Sequence, residues 1–286
     1  MLDQVNSAAF DTILADVGGD CSSTPQHFEW SVIVPFYNEA NYLRRCLASL
    51  AAQARPFQLI LVDNASTDGS GLVARRLCNE FGLTAIHLHE ARPGKVAALQ
   101  AGLAAVTSEF VATCDADTIY PPGYLETAHA MMAGRGAVAG IAATTPASSE
   151  LWRNRAAGLR MWLTSRLLPQ QCLNGGAGQV FRVDALRRCG GFDPAIWNWV
   201  LEDHEIIARI EPFGQIVYAP QFVCHPSVRP KAVDSRGWRL TEQLHYHLTS
   251  ARNRLAFFHD KLAPRLRERS LPSEVLRSCI QVSARA

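Results

Sequence analysis

Short apolar runs alternate with segments of helical periodicity over the first half of the chain. Each run is typical of a buried strand, and the apolar residues that follow it recur at helical spacing. The predicted strands are 31–34, 57–62, 84–88 and 110–114, with helices beginning near Asn38, Ser66, Gly94 and Pro122. This alternation indicates βαβ units and therefore an α/β fold with a mainly parallel, Rossmann-like sheet flanked by helices on both faces.

The regular alternation ends near residue 145, and we divide the chain there. Residues 1–28 show no sustained period and are interpreted as a loosely ordered leader. The main domain is expected over 29–236, with a ligand-binding half at 29–145 and a second half at 146–236. Residues 237–286 are expected to form a C-terminal helical extension.

Three helices are predicted after the alternation ends. They cover Trp152–Leu168, which is basic and contains aromatic residues, Val200–Ile210, and 238–262. Pro35 is expected to end the first strand, and Asn38 to cap the helix after it.

The polar residues that follow the four predicted strands are candidates for chemistry. Parallel sheets bind ligands beyond the carboxyl ends of their strands. The segments at those positions are Asn38-Glu39, Asp63-Asn64, Glu90–Lys95 and Asp115-Ala116-Asp117.

Composition narrows the class of protein. The chain has 286 residues, of which 48% are hydrophobic and 19% charged, the balance of a folded globular protein. A formal net charge of +2, spread along the chain, does not indicate a nucleic-acid partner. The eight cysteines form no CxxC pair, and we find neither a signal peptide nor a run of about 20 apolar residues. A cytoplasmic protein is therefore expected.

Asp115 and Asp117 are separated by one residue directly after a buried strand. A turn there can aim both carboxylates at one point, and hard oxygen ligands suit Mg²⁺ or Mn²⁺ bridging a diphosphate. Aspartate is also common in solvated turns, so the pair by itself fits either interpretation.

Two further acidic segments have both structural and chemical interpretations. Ser66 and Asp68 are explained as helix-capping oxygens, whereas Asp63, at a strand end, can accept hydrogen bonds from a nucleotide. Glu202 and Asp203 begin a predicted helix, where negative charge is stabilised by the helix dipole. Equally, one of these two carboxylates can serve as a general base towards a hydroxyl group.

Taken in order, these segments resemble the motifs of family 2 glycosyltransferases, which have the GT-A fold. The resemblance spans about residues 30–225, and its specificity lies in order and spacing. The segments that carry it are Val32–Glu39, Val62–Ser70, Gly94-Lys95, Asp115–Asp117, Gly190–Asp193 and Glu202-Asp203.

The resemblance implies a role for each candidate site residue. Asp203 is implied as the catalytic base, with Glu202 beside it, and Gly175, Gly176 and Trp197 as the loop near donor sugar and acceptor. The residues implied to bind the donor are Pro35, Tyr37, Glu39, Asp63, Lys95, Asp115 and Ala116. The implied ligands of a divalent cation, Mn²⁺ or Mg²⁺, are Asp117, Asp115 and His225.

The resemblance also implies the reaction. A single sugar is expected to move, with inversion, from a nucleotide-diphosphate sugar, UDP being the commonest donor type, to a hydroxyl acceptor in cell-surface glycan or glycolipid assembly. A lipid-linked saccharide acceptor would bring the protein to the inner face of the membrane through Trp152, Trp162, nearby arginines and the basic tail. A sugar-nucleotide pyrophosphorylase and a catalytically inactive nucleotide-sugar binding module are the alternatives.

Overall fold

The computed structural model describes residues 28–145, 151–227 and 238–274. All but the last residue of the predicted leader, and the end of the basic tail, lie outside the described residues. No helix in the described ranges combines the length and apolar character needed to cross a bilayer.

The strands of the described residues are β1 Trp30–Phe36, β2 Gln58–Asp63, β3 Ala85–His89, β4 Phe110–Cys114, β5 Thr118–Ile119, β6 Ala137–Ile141, β7 Ala143–Thr144, β8 Gly178–Arg182, β9 Gln215–Val217 and β10 Val223–Pro226. They form a seven-stranded sheet in the order β3-β2-β1-β4-β8-β6-β9 and a small three-stranded one in the order β5-β10-β7. Neighbours in the large sheet are parallel, except that β8 runs antiparallel to both β4 and β6. The prediction of a mainly parallel sheet is therefore confirmed.

Helices cover both faces of the large sheet, as the sequence predicts. The α-helices are α1 Leu43–Ala51, α2 Ser70–Phe81, α3 Lys95–Ala104, α4 Tyr124–Met132, α5 Leu151–Leu167, α6 Val183–Arg188, α7 Glu202–Ile210, α8 Leu240–Leu248, α9 Arg254–Ala256 and α10 Ala263–Glu268. Successive residues of β1 enter opposite cores: Val32 and Val34 share a hydrophobic cluster with α1, α2 and α4, whereas Ile33 shares one with α3, α6 and α7. The remaining turns are 3₁₀ helices at Glu211–Phe213 and Ala251–Asn253 and a π-helix at Phe257–Leu262.

Two predictions at the first strand are wrong. Pro35 lies inside β1, because β1 pairs with β4 only as far as Ile33 and the proline therefore has a strand on one side alone. Asn38 does not cap a helix, since α1 begins at Leu43. Asn38 instead has a φ of 55°, and its side chain accepts a hydrogen bond from the Thr67 backbone N–H.

The single helix predicted over 238–262 is also wrong. After α8 the backbone is extended at Thr249 and Ser250, with ψ values of 127° and 155°. The Thr249 hydroxyl donates a hydrogen bond to the His245 carbonyl, and such side-chain bonds compete with helical continuation. The segment is therefore split into α8, a 3₁₀ turn, α9 and the π-helix.

The C-terminal elements pack against the helix that carries Glu202 and Asp203. A third apolar cluster joins Trp197 and Ala208 to Tyr246 and Phe258. Thus α7 is held by the large sheet on one side and by the C-terminal helices on the other.

Removing one partner of a buried ion pair within α7 should destabilise the fold. Arg209 Nε lies 2.7 Å from Glu205 Oε1, and the two side chains are only 9% and 1% exposed. We expect Arg209→Met to lower the free energy of unfolding by about 3 kcal/mol, because it leaves a buried carboxylate without its main partner. The matched control is Arg188→Met, whose i,i+4 partner Asp184 is exposed; its effect should be below about 1 kcal/mol in urea denaturation. Equal effects would contradict this account.

Candidate active site

The carboxyl ends of three parallel strands bring the predicted donor residues to one edge of the sheet. Phe36 of β1 is in register with Asp63 of β2, and β4, on the other side of β1, ends just before Asp115. Tyr37 and Glu39 follow β1 directly. The topology therefore places the first two predicted motifs beside the third.

Six of the predicted site residues line one cavity at this edge. Four further residues complete its wall, and the sequence analysis assigned no role to them. The predicted residues in the wall are Pro35, Lys95, Asp115, Gly176, Glu202 and Asp203, and the additional ones are Leu99, Thr113, Gln179 and Phe192.

Lys95 is the positive charge at the centre of the cavity wall. Its Nζ lies 2.8 Å from Asp115 Oδ1 and 3.3 Å from Glu202 Oε1. Burial opposes the charge, but the two carboxylates outweigh burial and raise the pKa of Lys95. At Glu202 burial raises the pKa by more than the positive charge of Lys95 lowers it, so the pKa of Glu202 is raised. Lys95 therefore joins the end of β4 to the start of α7.

Asp203 is held by the residue that follows it. Its Oδ1 accepts hydrogen bonds from the His204 backbone N–H at 2.8 Å and lies 2.9 Å from His204 Nδ1. Burial favours the neutral acid, but His204 and then Lys95 outweigh it, so the pKa of Asp203 is lowered. The side chain is 14% exposed. Asp203 is thus an ionised carboxylate that still reaches the cavity.

The glycine-rich loop before β8 lies against this carboxylate. A Cβ atom at Gly175 would fall 2.2 Å from Asp203 Oδ2, which leaves no room for a side chain. Gly176 has a φ of 67°, and its ideal Cβ position is 3.4 Å from Asp203 Oδ2, 3.6 Å from Asp115 Oδ2 and 3.8 Å from Lys95 Nζ. Gly176 therefore lies at the point where these three groups converge.

Asp63 is engaged by its own loop. Its Oδ1 accepts a hydrogen bond of 2.8 Å from the Ser66 backbone N–H, and its Oδ2 lies close to Gly71. Glu39 is nearly buried, and its backbone N–H donates to the Ser70 hydroxyl. These contacts hold the loops after β1 and β2 together.

Asp117 directly precedes β5, and His225 lies in β10, the strand that pairs with β5. His225 pairs with Ile119 in antiparallel register, and the Ser227 backbone N–H donates to the Asp117 carbonyl. The backbone of Asp117 is therefore two residues along this pairing from that of His225. The Thr145 hydroxyl lies 2.9 Å from His225 Nδ1, which leaves Nε2 as the ring nitrogen for a ligand.

Two protein donors would leave most of a cation's coordination positions to other ligands. Within the described residues, no three acidic, histidine or cysteine side chains form a ready metal cluster. The carboxylate suits Mn²⁺ or Mg²⁺ when phosphate oxygens and water supply the remaining ligands, and the softer imidazole favours Mn²⁺ over Mg²⁺.

Trp197 and Ala116, both predicted as site residues, are buried in hydrophobic clusters and do not line the cavity. Trp197 is 2% exposed and packs edge-on against Phe258, with its indole N–H donating to the Val200 carbonyl. Ala116 is buried in the core beneath the sheet edge. The structure therefore does not bring these two together with Asp203 and Lys95.

Sequence analysis missed Gln179 and His204. Gln179 lines the cavity, and its amide donates to the Asp203 carbonyl at 3.0 Å. His204 contacts Asp203 and lies edge-on to Trp238 and Tyr246. The position of Gln179 directly after the glycine-rich loop could have identified it from the sequence. No local pattern could have identified His204, because its ring contacts are with residues far away in the sequence.

We expect the His204 imidazole to stay protonated at neutral pH. Burial opposes its charge, but Cys172 and Asp203 outweigh burial and hold its pKa well above 6.5. A raised folded-state pKa means that this pairing stabilises the fold fully below about pH 6.5, and the contribution is lost as the pH rises through the folded value.

Histidine ¹³Cε1 titration by NMR checks this prediction. The His204 signal should titrate well above the signals of His87 and His247, whose pKa values burial lowers. Asp203→Asn should bring the pKa of His204 down. A His204 signal that titrates with the other two would contradict the arrangement.

Comparison with protein families gives a match over more than half of the chain. A model described as "Glycosyl transferase family 2" matches residues 31–190. Among curated proteins, glycosyltransferase AglE of Haloferax volcanii is 29% identical over 109 residues, which are 37% of this chain and 36% of AglE. The uncharacterized glycosyltransferase YaiP of Escherichia coli is 30% identical over 173 residues, 56% of this chain and 43% of YaiP. The chain thus spans less than half of each relative.

Solved structures give the same fold. The mannosyltransferase PcManGT of Pyrobaculum calidifontis, in complex with GDP-Man and Mn²⁺, is 26% identical with a TM-score of 0.57, over 78% of this chain and 61% of that protein. TarS 1–349 of S. aureus, in complex with UDP-GlcNAc, is 20% identical with a TM-score of 0.56, over 77% of this chain and 64% of that one. The predicted GT-A fold is confirmed.

Proposed function

Because the chain belongs to glycosyl transferase family 2, we propose that it moves one sugar from a nucleoside diphosphate sugar to a hydroxyl acceptor with inversion at the anomeric carbon. The observation that carries this proposal is the convergence at Gly176 of the Asp203 carboxylate with Lys95 and Asp115. A basic group for the donor phosphates and a carboxylate base for the acceptor thus face one space.

The donor is proposed to lie along the carboxyl ends of β1, β2 and β4. In that position Pro35, Tyr37, Glu39 and Asp63 line the nucleotide pocket, with Ala116 on the adjoining turn. Asp115 accepts hydrogen bonds from the ribose region, and Lys95 neutralises phosphate charge once the donor displaces its present partners. UDP is the proposed nucleotide of the donor, because UDP-sugars are the commonest donor type in the family.

The proposed cation ligands are Asp117 and His225, with Asp115 alongside. A divalent cation there would neutralise negative charge on the departing diphosphate. Support comes from the pairing of β5 with β10, which brings the backbone of Asp117 within two residues of His225 along the ladder, and from the Thr145 contact at the imidazole.

The protein groups can carry out a direct displacement. Asp203 takes the proton of the acceptor hydroxyl while that oxygen bonds to the anomeric carbon. The bond from this carbon to the diphosphate breaks on the opposite face, and its electron pair leaves with the diphosphate. His204 holds Oδ1 of the base, so that Oδ2 remains directed at the glycine loop. Inversion follows from a single displacement, and positioning supplies much of the rate.

The acceptor is proposed to be a lipid-linked saccharide in cell-surface glycan or glycolipid assembly. The dodecaprenyl-phosphate galacturonate synthase of Rhizobium johnstonii is 34% identical over 98 residues, 32% of this chain and 29% of that protein. Gly175, Gly176 and the segment 152–173 then face the acceptor. A cytoplasmic enzyme at the inner face of the membrane fits this role. The loop after β1, which is neither glycine-rich nor basic, disfavours a pyrophosphorylase.

A donor screen with product analysis tests the proposed reaction. The full chain is incubated with Mn²⁺, a panel of nucleotide sugars and polyprenyl-linked or simple glycoside acceptors, and released nucleoside diphosphate is measured. Proton NMR of the product gives the anomeric configuration. The proposal requires release from one donor class with inverted configuration; retained configuration, or pyrophosphate exchange in place of transfer, would overturn it.

A further inference from the structure

Helix α5 presents an unusual apolar face to solvent. Trp152, Leu159, Leu163 and Leu167 are 64%, 47%, 52% and 82% exposed. At 3.6 residues per turn these four residues, together with Ala156, fall within an arc of about 80°. Scattered exposed leucines are ordinary, but a continuous stripe of leucine and tryptophan marks an interaction surface.

The opposite side of α5 is fixed to the protein body. Gly158 is buried, and a Cβ atom there would fall 1.9 Å from the Pro220 carbonyl oxygen. In the first turn, the Asn154 side chain accepts a hydrogen bond from the Thr145 hydroxyl at 2.8 Å. The exposed stripe is therefore the outward face of a helix that is docked through its small and polar residues.

The charges around the stripe have one sign. Residues 151–167 contain four arginines and no acidic residue. On the helical projection Arg153 and Arg160 lie on one side of the stripe, and Arg155 and Arg166 on the other. An apolar stripe bordered on both sides by arginines is complementary to a bilayer that has apolar chains beneath anionic headgroups.

A second row of leucines ends close to this helix. Leu240, Leu244 and Leu248 recur every fourth residue on α8 and are exposed. The carboxyl end of α8 lies against the segment after α5, because the Gln171 amide donates to the His247 carbonyl at 3.1 Å. The carboxyl end of α8, with the exposed Leu248, therefore lies beside the segment that follows α5.

We propose that the exposed face of α5 is a docking surface for an anionic lipid bilayer. Its importance for catalysis rests on the proposed function: α5 begins beside Thr145, the partner of His225, and leads into the loop with Gly175. A bilayer on this face would deliver a lipid-linked acceptor next to the candidate site. Binding itself needs no donor and no activity.

Flotation of the full chain with vesicles tests the proposal. We expect binding to vesicles of phosphatidylglycerol and phosphatidylcholine, weaker binding to phosphatidylcholine alone, and loss of binding in high salt. Leu163→Gln/Leu167→Gln should lower the partition coefficient by about tenfold or more, because two leucines no longer enter the bilayer. Arg153→Gln/Arg160→Gln should weaken binding to anionic vesicles only.

The matched control is Leu72→Gln, which removes a leucine that is 77% exposed on α2, and it should bind as the wild type does. Absence of binding to anionic vesicles, or equal binding by the leucine double variant, would overturn the proposal. Sedimentation velocity tests whether a second copy of the chain covers this face instead. If the wild type is a dimer and the leucine double variant is a monomer, the face is a dimer interface and the membrane proposal is overturned. If a variant that no longer floats still releases nucleoside diphosphate from the donor, loss of membrane binding is distinguished from loss of the proposed sugar transfer.

Discussion

Asp203→Asn is expected to lower turnover by about 10²- to 10⁴-fold, the range typical of a lost general base. The amide cannot accept the acceptor proton, although it keeps the size of the carboxylate. Donor affinity should change little, because the proposed donor-binding residues are others, among them Pro35, Asp63 and Lys95. Turnover at saturating donor and acceptor measures the effect, and titration with the nucleotide shows that the site remains folded.

Asp184→Asn is the matched control, because it makes the same change at an exposed position of α6. It should retain wild-type turnover. Glu202→Gln distinguishes the two neighbouring carboxylates, since Glu202 contacts Lys95 whereas Asp203 faces the glycine loop. Should Asp203→Asn stay within tenfold of the wild type while Glu202→Gln is inactive, Glu202 would be the base.

Gly175→Ala is expected to lower turnover by about 100-fold. The added Cβ would lie 2.2 Å from Asp203 Oδ2 and 2.9 Å from His204 Cε1, so the loop or the carboxylate has to move. Displacing a reacting group by about 1 Å can cost a factor near 100 in rate. Nucleotide binding should persist, because the substitution acts on the side of the cavity that we propose for the acceptor.

Gly123→Ala is the control for this substitution. Gly123 has a φ of −90°, and no atom lies within 4 Å of its ideal Cβ position, so an alanine fits there. Thermal denaturation of both variants separates loss of fold from loss of geometry. Equal turnover in the two variants would show that the loop does not fit closely against Asp203.

Local pattern predicted the parallel half of the fold well. The strands 31–34, 57–62, 84–88 and 110–114 are confirmed within two residues at each end, because each is a buried apolar run between polar turns. The errors arose where long-range contacts decide. Asn38 is a favourable capping residue, yet its side chain bonds Thr67 across the neighbouring loop. The antiparallel β8 likewise depends on pairing that the sequence pattern does not specify.

The candidate site was predictable to the extent that strand ends define it. Asp115 and Lys95 belong to motifs that follow predicted strands, and the structure places Lys95 Nζ 2.8 Å from Asp115 Oδ1. His204 was missed because its contacts with Tyr246 and Trp238 depend on how the C-terminal helices pack. Trp197 was predicted to lie near the donor sugar and the acceptor, and the structure buries it in a hydrophobic cluster. The sequence alone does not distinguish a tryptophan of the core from one of a binding site.

We propose above all that this sheet edge binds a nucleoside diphosphate together with a divalent cation. Isothermal titration of the wild type with UDP, GDP and dTDP, each with Mn²⁺ and with EDTA, tests it most directly. We predict binding of one nucleotide that requires Mn²⁺, is lost in Asp117→Ala and persists in Asp184→Asn. Folded protein that binds none of the three, or binds one equally well in EDTA and in Asp117→Ala, would contradict the account.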